Sequence, residues 1–512
     1  MEENSVPTRT SSISRATSRR DFLVLAGSGT AALLSGGLHG GESTATSRKP
    51  NFVFVLSDDQ DWTGLSVQMH DALPNSKSDF YRTPNLEELA RQAMRFSRAY
   101  APSPVCSPTR YSLLTGKSPA QLHWTKASPV MTAADGYKLI PPAIIKQISE
   151  NESTIAKVLK QAGYATAHFG KWHLRGGGPG RHGFDEHDGD TGNKDAAPFK
   201  DPNPVDIFGI TERAGAFMAK HTEEGRPFYC QLSHHALHYS QNALEATKEA
   251  YRNRPPGRMH KDIDRAAITE NLDTGVGVLM DKIEQLGIAD NTYVIYMSDN
   301  GAGGGSRARP LSGGKGSLWE GGIRVPLIIR GPGVKPGTFC HVPVVGYDLF
   351  PTYYELAGAS QALPEGVEGG SIRPLLSNEG TGEVKRPREE LVFHFPHYQS
   401  GDGPHSAIRL GDYKLIKFYE SDQVRLFNLA EDIGEQRDLS KEMPDKAAKL
   451  SRRLDDYLKA VNARMPVPNP DYDPDKAPET RRRQKRGGGG GGRRGGADAP
   501  RPRRRERTRS AR

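Results

Sequence analysis

The stretch NFVFVLSDDQ, Asn51–Gln60, sets five consecutive apolar side chains before a Ser-Asp-Asp end. The run is too short for a buried helix, is rich in β-branched and aromatic residues, and shows no in–out alternation. These features predict a strand covered on both faces, as in a parallel sheet. TYVIYMSDNG (292–301) repeats the design and ends in Asp299 and Asn300. Between the two lie YATAHFGKWH (164–173) and PFYCQLSHHALH (227–238), which also begin apolar and end polar. Helical patterns are interleaved with them: TPNLEELARQAMRF (83–96), STIAKVLKQAG (153–163) and AAITENLDTGVGVLMDKIEQLG (266–287). The alternation predicts an α/β fold, a large doubly wound and mostly parallel sheet flanked by helices. In such sheets ligands collect beyond the carboxyl ends of the strands, where these polar residues fall.

Outward from this core the composition changes at SNEGTGEVKRPREE (377–390), which reads as a linker. Beyond it LVFHF, SAIRLGDYKLIKFY and VRLFNLAED predict short antiparallel strands, and KAAKLSRRLDDYLKAVNAR predicts an amphipathic helix. The expected organisation is therefore a main α/β domain over 49–385 and a smaller C-terminal α+β subdomain over 386–470. Residues 1–48 read as an address. SRRDFLVLAGSGTAALLSGGL places Arg19 and Arg20 before a Gly- and Ala-rich apolar run, and small residues follow near Ala45. The segment resembles a twin-arginine export signal, and a periplasmic or extracellular location is expected. Residues 471–512 form a Gly/Arg-rich tail. From Arg481 onward it carries +12 of a chain total of +9, so the rest of the chain sums to −3. With nothing apolar to bury, this tail is expected to be disordered. It either contacts polyanions or is a solvated extension without a dedicated partner. The three cysteines, Cys106, Cys230 and Cys340, form no C-x-x-C pair, which argues against a disulfide framework or a structural zinc site.

Taken singly, Asp58–Asp59 reads as a strand-to-loop cap and Asp299-Asn300-Gly301 as a turn. Together at the ends of two buried strands they are costly unless something positive answers them. Three carboxylates and an amide oxygen suit a hard divalent cation. GKWH places Lys171 and His173 two residues apart at a strand end, which predicts one shared face. SHHALH adds His234, His235 and His238, GGKGSLWEGGIRVP adds Lys315, and PSPVCSPTRYSLLTGKSP (102–119) adds Cys106 and Arg110. Basic groups at one edge beside a cation form an anion pocket, so the substrate is expected to carry a compact oxyanion, sulfate or phosphate.

CSPTRYSLLTG resembles the signature of the type I sulfatases, the formylglycine-dependent members of the alkaline phosphatase superfamily. SDD, GKWH, SDNG, GGKGSLWEGGIRVP, YDLFPTYYELAG and GDYKLI match that family's other blocks in order, over about residues 50–460. The resemblance implies that a maturation enzyme reads Cys106, Pro108 and Arg110 and converts Cys106 to Cα-formylglycine, whose aldehyde hydrates to a geminal diol. Twin-arginine export, which moves folded protein, fits such earlier processing. It implies that Asp58, Asp59, Asp299, Asn300 and the modified Cys106 bind Ca²⁺, with Mg²⁺ as second choice. One diol hydroxyl would attack sulfur. His238 and Lys315 would contact the sulfate and leaving oxygen, Lys171 and Arg110 would hold the diol, and His173 would deprotonate the remaining hydroxyl to expel sulfate. A thiol attacking sulfur would leave a thiosulfate ester with no second hydroxyl to drive release. Leu237 departs from the proline the family commonly has there, which loosens the choice among the nearby histidines; His238, at the family's histidine position, is favoured over His234 and His235.

The implied function is hydrolysis of sulfate esters, on a sulfated carbohydrate. Alternatives are a formylglycine-dependent phosphodiesterase or phosphonate monoester hydrolase, and a non-catalytic binder of sulfated glycans. HFPHY (394–398) and PHSAIR (404–409) read either as a sugar-lining surface or as packing and turn residues.

Overall fold

The computed structural model describes residues 48–127, 136–301, 303, 309–359, 361–399 and 401–476. Of the expected export signal only Arg48 is described, and of the expected tail only 471–476, which includes a 3-10 turn at Pro474–Lys476; the rest of both lies outside the described residues. Among the described residues, no helix is long and apolar enough to cross a membrane.

The main sheet has eight strands. In chain order they are β1 (Asn51–Ser57), β2 (Met94–Phe96), β3 (Ala165–Gly170), β4 (Glu186–His187), β5 (Phe228–Ser233), β6 (Thr292–Ser298), β7 (Leu327–Arg330) and β8 (Phe339–Cys340). Their spatial order is β8-β2-β7-β6-β1-β5-β3-β4. The central run β6-β1-β5-β3 is parallel, while β7 pairs antiparallel with both β6 and β2. This is the large, mostly parallel sheet expected. β1 shows why the apolar run is unbroken. Phe52, Phe54 and Leu56 enter one core, against α2 (Cys106–Thr115), α3 (Ile155–Gln161) and α6 (Leu349–Leu356); Val53 and Val55 enter the other, against α1 (Pro84–Arg91), α4 (Ile207–Glu223) and α5 (Ile263–Gln285). With both faces covered, each of these side chains contributes about 1.5–3 kcal/mol of burial.

The helix expected over 83–96 is shorter. It stops at Arg91, and Met94–Phe96 pairs as β2 with β7 and β8. Met94 and Phe96 are buried, while Arg95 stacks on the Phe339 ring, so tertiary pairing overrides the helical pattern.

Four antiparallel strands, β9 (Leu391–Phe395), β10 (His405–Leu410), β11 (Tyr413–Phe418) and β12 (Gln423–Asn428), form a second sheet in sequential order. Helix α7 (Pro444–Ala460) lays Leu450, Leu454 and Tyr457 on one face of it. The other face buries Phe393, Phe395 and Ile416 against Tyr100, Val105 and Leu318 of the main domain. The second sheet thereby comes to within one residue of Cys106 and three of Lys315. His394 and His405 are buried inside it and hydrogen-bonded to Ser406 Oγ, the Arg464 and Gly403 carbonyls and the Leu318 N–H. Of the two readings of HFPHY and PHSAIR, packing is the one these histidines follow.

Candidate functional site

Four central strands stop at one level. The register aligns Ser57 with Ser298, and both Leu56 and Gly170 with Ser233. The residues that follow are Asp58–Asp59 after β1, Asp299–Asn300 after β6, Lys171 after β3 and His234–His235 after β5. Backbone hydrogen bonds tie these ends together: Asp299 N–H to Ser57 O (3.0 Å), Lys171 N–H to Ser233 O (2.7 Å), and Asp58 paired both ways with the 236–237 peptide, its N–H on Ala236 O and its carbonyl taking the Leu237 N–H (2.7 Å each). Gly170 makes a close turn. Its φ is +91°, and a Cβ there would lie 2.2 Å from Ser233 O.

Cys106 opens helix α2, which runs without a side-chain cap to Gly116 in the left-handed region. The helix N-terminus favours negative charge at position 106. Cys106 Sγ lies 3.3 Å from Asp58 Oδ1 and 3.6 Å from Lys315 Nζ. One ligand atom each from Asp58, Asp59, Cys106 and Asp299 falls within a 4.8 Å span, and all four residues are buried. Asn300 Nδ2 donates to Asp59 Oδ1 (2.9 Å) and to Gly301 O (3.0 Å), while its Oδ1 is buried with no donor. Three buried carboxylates within reach of one another, beside a buried amide oxygen without a donor, fit a hard, oxygen-preferring divalent cation.

The basic groups interleave with these acids. Lys171 Nζ pairs with Asp58 Oδ2 and Lys315 Nζ with Asp59 Oδ1. Arg110 grips Asp299 Oδ2 through Nε (3.0 Å) and Nη2 (2.8 Å) and donates from Nη1 to Lys171 O (2.6 Å). Arg110 and Lys171, assigned to the diol, therefore act on the acids around Cys106 as well. Burial alone would raise the Asp58 carboxyl, but Lys171, then Arg110 and Lys315, hold it well below the usual range. Asp299 goes the other way: burial and the Asp58 charge push it to about 6 despite Arg110. Burial, then the Asp299 and Asp58 charges, push the Cys106 thiol up.

Lys171 and His173 do come together, though not by strand alternation. The strand ends at Gly170, and His173 sits at φ +58° in a turn. Thr191 fixes that turn: its Oγ1 accepts from Trp172 N–H (2.9 Å) and its carbonyl from His173 N–H (2.7 Å), while Ser107 Oγ donates to His173 O (2.9 Å). Asp59, also left-handed at φ +62°, is the second non-glycine residue held off the usual backbone regions here. Burial, then Lys171 and Arg110, hold His173 neutral, at about 2.

His238 is half-open to the cleft and feels both Asp58 and Asp59, with burial lowering it first. The Ala236–Leu237 peptide before it is cis, at the position where the family commonly has proline. His234 and His235 are buried deeper, both held at about 3 chiefly by burial. The Nδ1 atoms of His173, His235 and His238 have no hydrogen-bond partner. The structure thus gathers every expected residue: Asp58, Asp59, Cys106, Arg110, Lys171, His173, His238, Asp299, Asn300 and Lys315. It also adds Arg265, which the sequence reading missed. Arg265 reaches from α5 to Leu237 O (2.9 Å) and Asp59 O, pinning two site loops at once. Its local signal, an arginine beside two alanines in an amphipathic helix, is that of an ordinary surface position.

The Sulfatase family model matches residues 50–359, and the model described as N-sulphoglucosamine sulphohydrolase, C-terminal, matches 314–464. A sulfatase of Formosa agariphila is 30% identical across 81% of this chain and 90% of its own length. Human arylsulfatase A is 31% identical across 73% of this chain and 76% of its own. An ulvan-active sulfatase of Formosa agariphila is 28% identical, covering 81% and 84%. Among solved structures, Ps i-CgsB superposes with a TM-score of 0.66 at 24% identity, over 84% of this chain and 94% of that one. PsFucS1 sulfatase from Pseudoalteromonas superposes with a TM-score of 0.60 at 21% identity, over 83% and 92%. At these identities the structures support the shared fold.

Proposed function

The chain belongs to the sulfatase family and is a sulfuric ester hydrolase, and from that premise we propose that it removes sulfate from a sulfated carbohydrate through a formylglycine made at Cys106. The observation that carries the reading is the meeting of Cys106, at a helix N-terminus, with four level strand ends that bring three carboxylates, an orphaned amide oxygen and three basic side chains around it. Asp58, Asp59, Asp299 and Asn300, with position 106, would hold the divalent cation, Ca²⁺ in our reading and Mg²⁺ as second choice. Bound there, such a cation polarises the sulfate and makes a neighbouring hydroxyl more acidic.

In this reading the chain's own residues divide the work. Position 106, converted and hydrated, supplies the attacking hydroxyl. Lys315 and His238, on the open side of the cluster, hold the sulfate and return a proton to the departing alcohol oxygen. His173, neutral and with a free ring nitrogen, takes the proton of the second hydroxyl as sulfate leaves and the aldehyde returns. Lys171 and Arg110 keep the acids and position 106 in register. The carbohydrate assignment draws on relatives: the ulvan-active sulfatase, human N-acetylgalactosamine-6-sulfatase, and a solved neighbour described as bound to its substrate D-glucosamine-2-N,6-O-disulfate. A polymeric substrate outside the cell agrees with the Arg19–Arg20 segment and with passage through the twin-arginine machinery after maturation. The basic tail is a candidate contact for the same polyanion.

The test is expression with a formylglycine-generating enzyme, followed by aryl sulfate, aryl phosphodiester and a panel of defined sulfated oligosaccharides. Sulfate release is expected, together with the mass loss in the Cys106 peptide that replacing CH₂SH by CHO brings. A clear preference for the phosphodiester, or full activity with unmodified cysteine, would overturn the reading.

A further inference from the structure

A second group of metal-ligating side chains lies at the far edge of the main sheet, away from the strand ends that carry the site. The chain after β1 makes a closed turn over 68–76, and Ser76 holds it: Ser76 Oγ accepts from His70 N–H (3.0 Å) and donates to Leu73 O (2.6 Å). That turn presents His70 and Asp71 to His341, the residue directly after edge strand β8. One ligand atom from each of the three lies within a 4.8 Å span, and the two imidazole rings are 4.9 Å apart.

Among the described residues no lysine or arginine hydrogen-bonds to these atoms. Ser97 Oγ stands 2.7 Å from His341 Nδ1 and 3.3 Å from Cys340 O and so holds the ring in place. His341 Nε2 faces Asp71 Oδ2, 3.4 Å away. On the other side His70 Nδ1 lies 3.1 Å from Asp71 Oδ1, and the single Ala72 N–H serves both atoms, at 3.1 and 2.8 Å. His70 Nδ1, Asp71 and His341 Nε2 thus converge, with one backbone N–H shared between the first two. Arg95, whose charge reaches Asp71, gives its hydrogen bonds to Gln68 O and Gly337 O and lies over the Phe339 ring instead.

We propose that His70, Asp71 and His341 form a binding site for a borderline transition-metal cation, with Zn²⁺ the best match, separate from the catalytic cation. Two imidazoles and a carboxylate are the ligands such ions select, whereas the oxygen-rich catalytic set selects Ca²⁺ or Mg²⁺. Ligand bonds of about 2.0–2.2 Å draw the three atoms closer than they stand and leave a fourth position to water. Ser97 acts as the outer partner that orients the His341 ring, and Ser76 sets the turn that presents His70. The bound ion clips the loop leaving β1, which begins at Asp58, to the edge of the sheet.

The test titrates Zn²⁺ by calorimetry into Ca²⁺-saturated Cys106→Ala protein, where the thiol of the catalytic centre cannot compete. One equivalent with micromolar affinity is expected, weakened at least tenfold by His70→Ala, by His341→Ala and by Asp71→Asn, each checked for folding by circular dichroism. Zn²⁺ should also raise the thermal midpoint of the parent protein and leave that of His341→Ala unchanged. Co²⁺ in place of Zn²⁺ should give a visible absorption band that the same variants lose. Absence of zinc binding, or binding that all three variants leave intact, would overturn the site. A His341–Asp71 pair that titrates with pH and ignores Zn²⁺ would show that a proton occupies the gap and would overturn it equally.

Discussion

The Gly-rich segment 312–324 contributes to two buried ionic clusters, Glu320 with Arg324 to one and Lys315 to the other, and the two behave in opposite ways. In one, Glu320 takes Lys414 Nζ (2.9 Å) on one oxygen and Tyr100 Oη (2.8 Å) and Arg324 Nη1 (3.2 Å) on the other. Glu435 accepts the Glu320 N–H (2.7 Å) and pairs with Lys414 (2.8 Å), and Arg324 continues to Ser97 O. Each charge there is answered within the protein, and the cluster joins the main sheet to the second one. In the other cluster Lys171, Arg110 and Lys315 answer Asp58, Asp299 and Asp59, yet Asn300 Oδ1 and the Nδ1 atoms of His173, His235 and His238 have no partner. Burial and charge are common to both. What sets the cluster around Cys106 apart is its unpartnered neutral groups, an amide oxygen and imidazole nitrogens, whereas the unbonded Glu435 Oε1 of the other cluster still meets the Lys414 charge.

The comparison can be broken from either side. The largest effect is expected at position 106: Cys106→Ala should lower sulfate release on the order of 1000-fold or more while leaving the urea midpoint close to that of the parent. Asn300→Leu, which removes the orphaned acceptor at similar volume, should cost on the order of 100-fold in activity, and added Ca²⁺ should no longer restore chelator-treated enzyme as it restores the parent. An Asn300→Leu protein that Ca²⁺ still rescues would put the cation elsewhere. On the architectural side, Lys414→Met strands two carboxylates in the interior. It should destabilise the protein by about 3–5 kcal/mol in urea melts, with the turnover of the folded fraction unchanged.

The smallest effect is a pH slope. Burial, then the Glu320 charge against the pull of Lys414, raises Glu435 from its ordinary 4.5 to about 7. Burial would raise Glu320 too, but Lys414 and Arg324 outweigh it and hold it at about 2. A carboxyl raised on folding binds its proton more tightly in the native state. Its contribution to stability is therefore complete below pH 4.5 and is lost as pH rises through about 7. Unfolding free energy should fall between pH 5 and 8, and Glu435→Gln should flatten that slope.

The cluster around Cys106 was legible in the sequence because most of its acids and histidines end a hydrophobic run. Asp58, Asp299, Lys171 and the 234–238 histidines follow strands whose burial on both faces shows in the residues themselves, and the Cys106–Gly116 block carries its own signature. The architectural cluster was not legible. Glu320, Lys414 and Glu435 come from three separate segments, and nothing local marks a glutamate that a lysine 94 residues later will neutralise. Arg265 escaped notice for the same reason. The turn at His173 was misread because alternation holds only while the backbone stays extended, and the strand ends three residues earlier.

The alternation of strands and helices and the family could be read from the sequence, which also named the residues that meet at the strand ends, since periodicity and contiguous motifs are local properties. The tertiary structure alone decided that four strand ends stand level, that Met94–Phe96 pairs as a strand, and which buried polar atoms remain without partners. Those depend on register and on contacts between segments far apart in the chain, which no local pattern encodes.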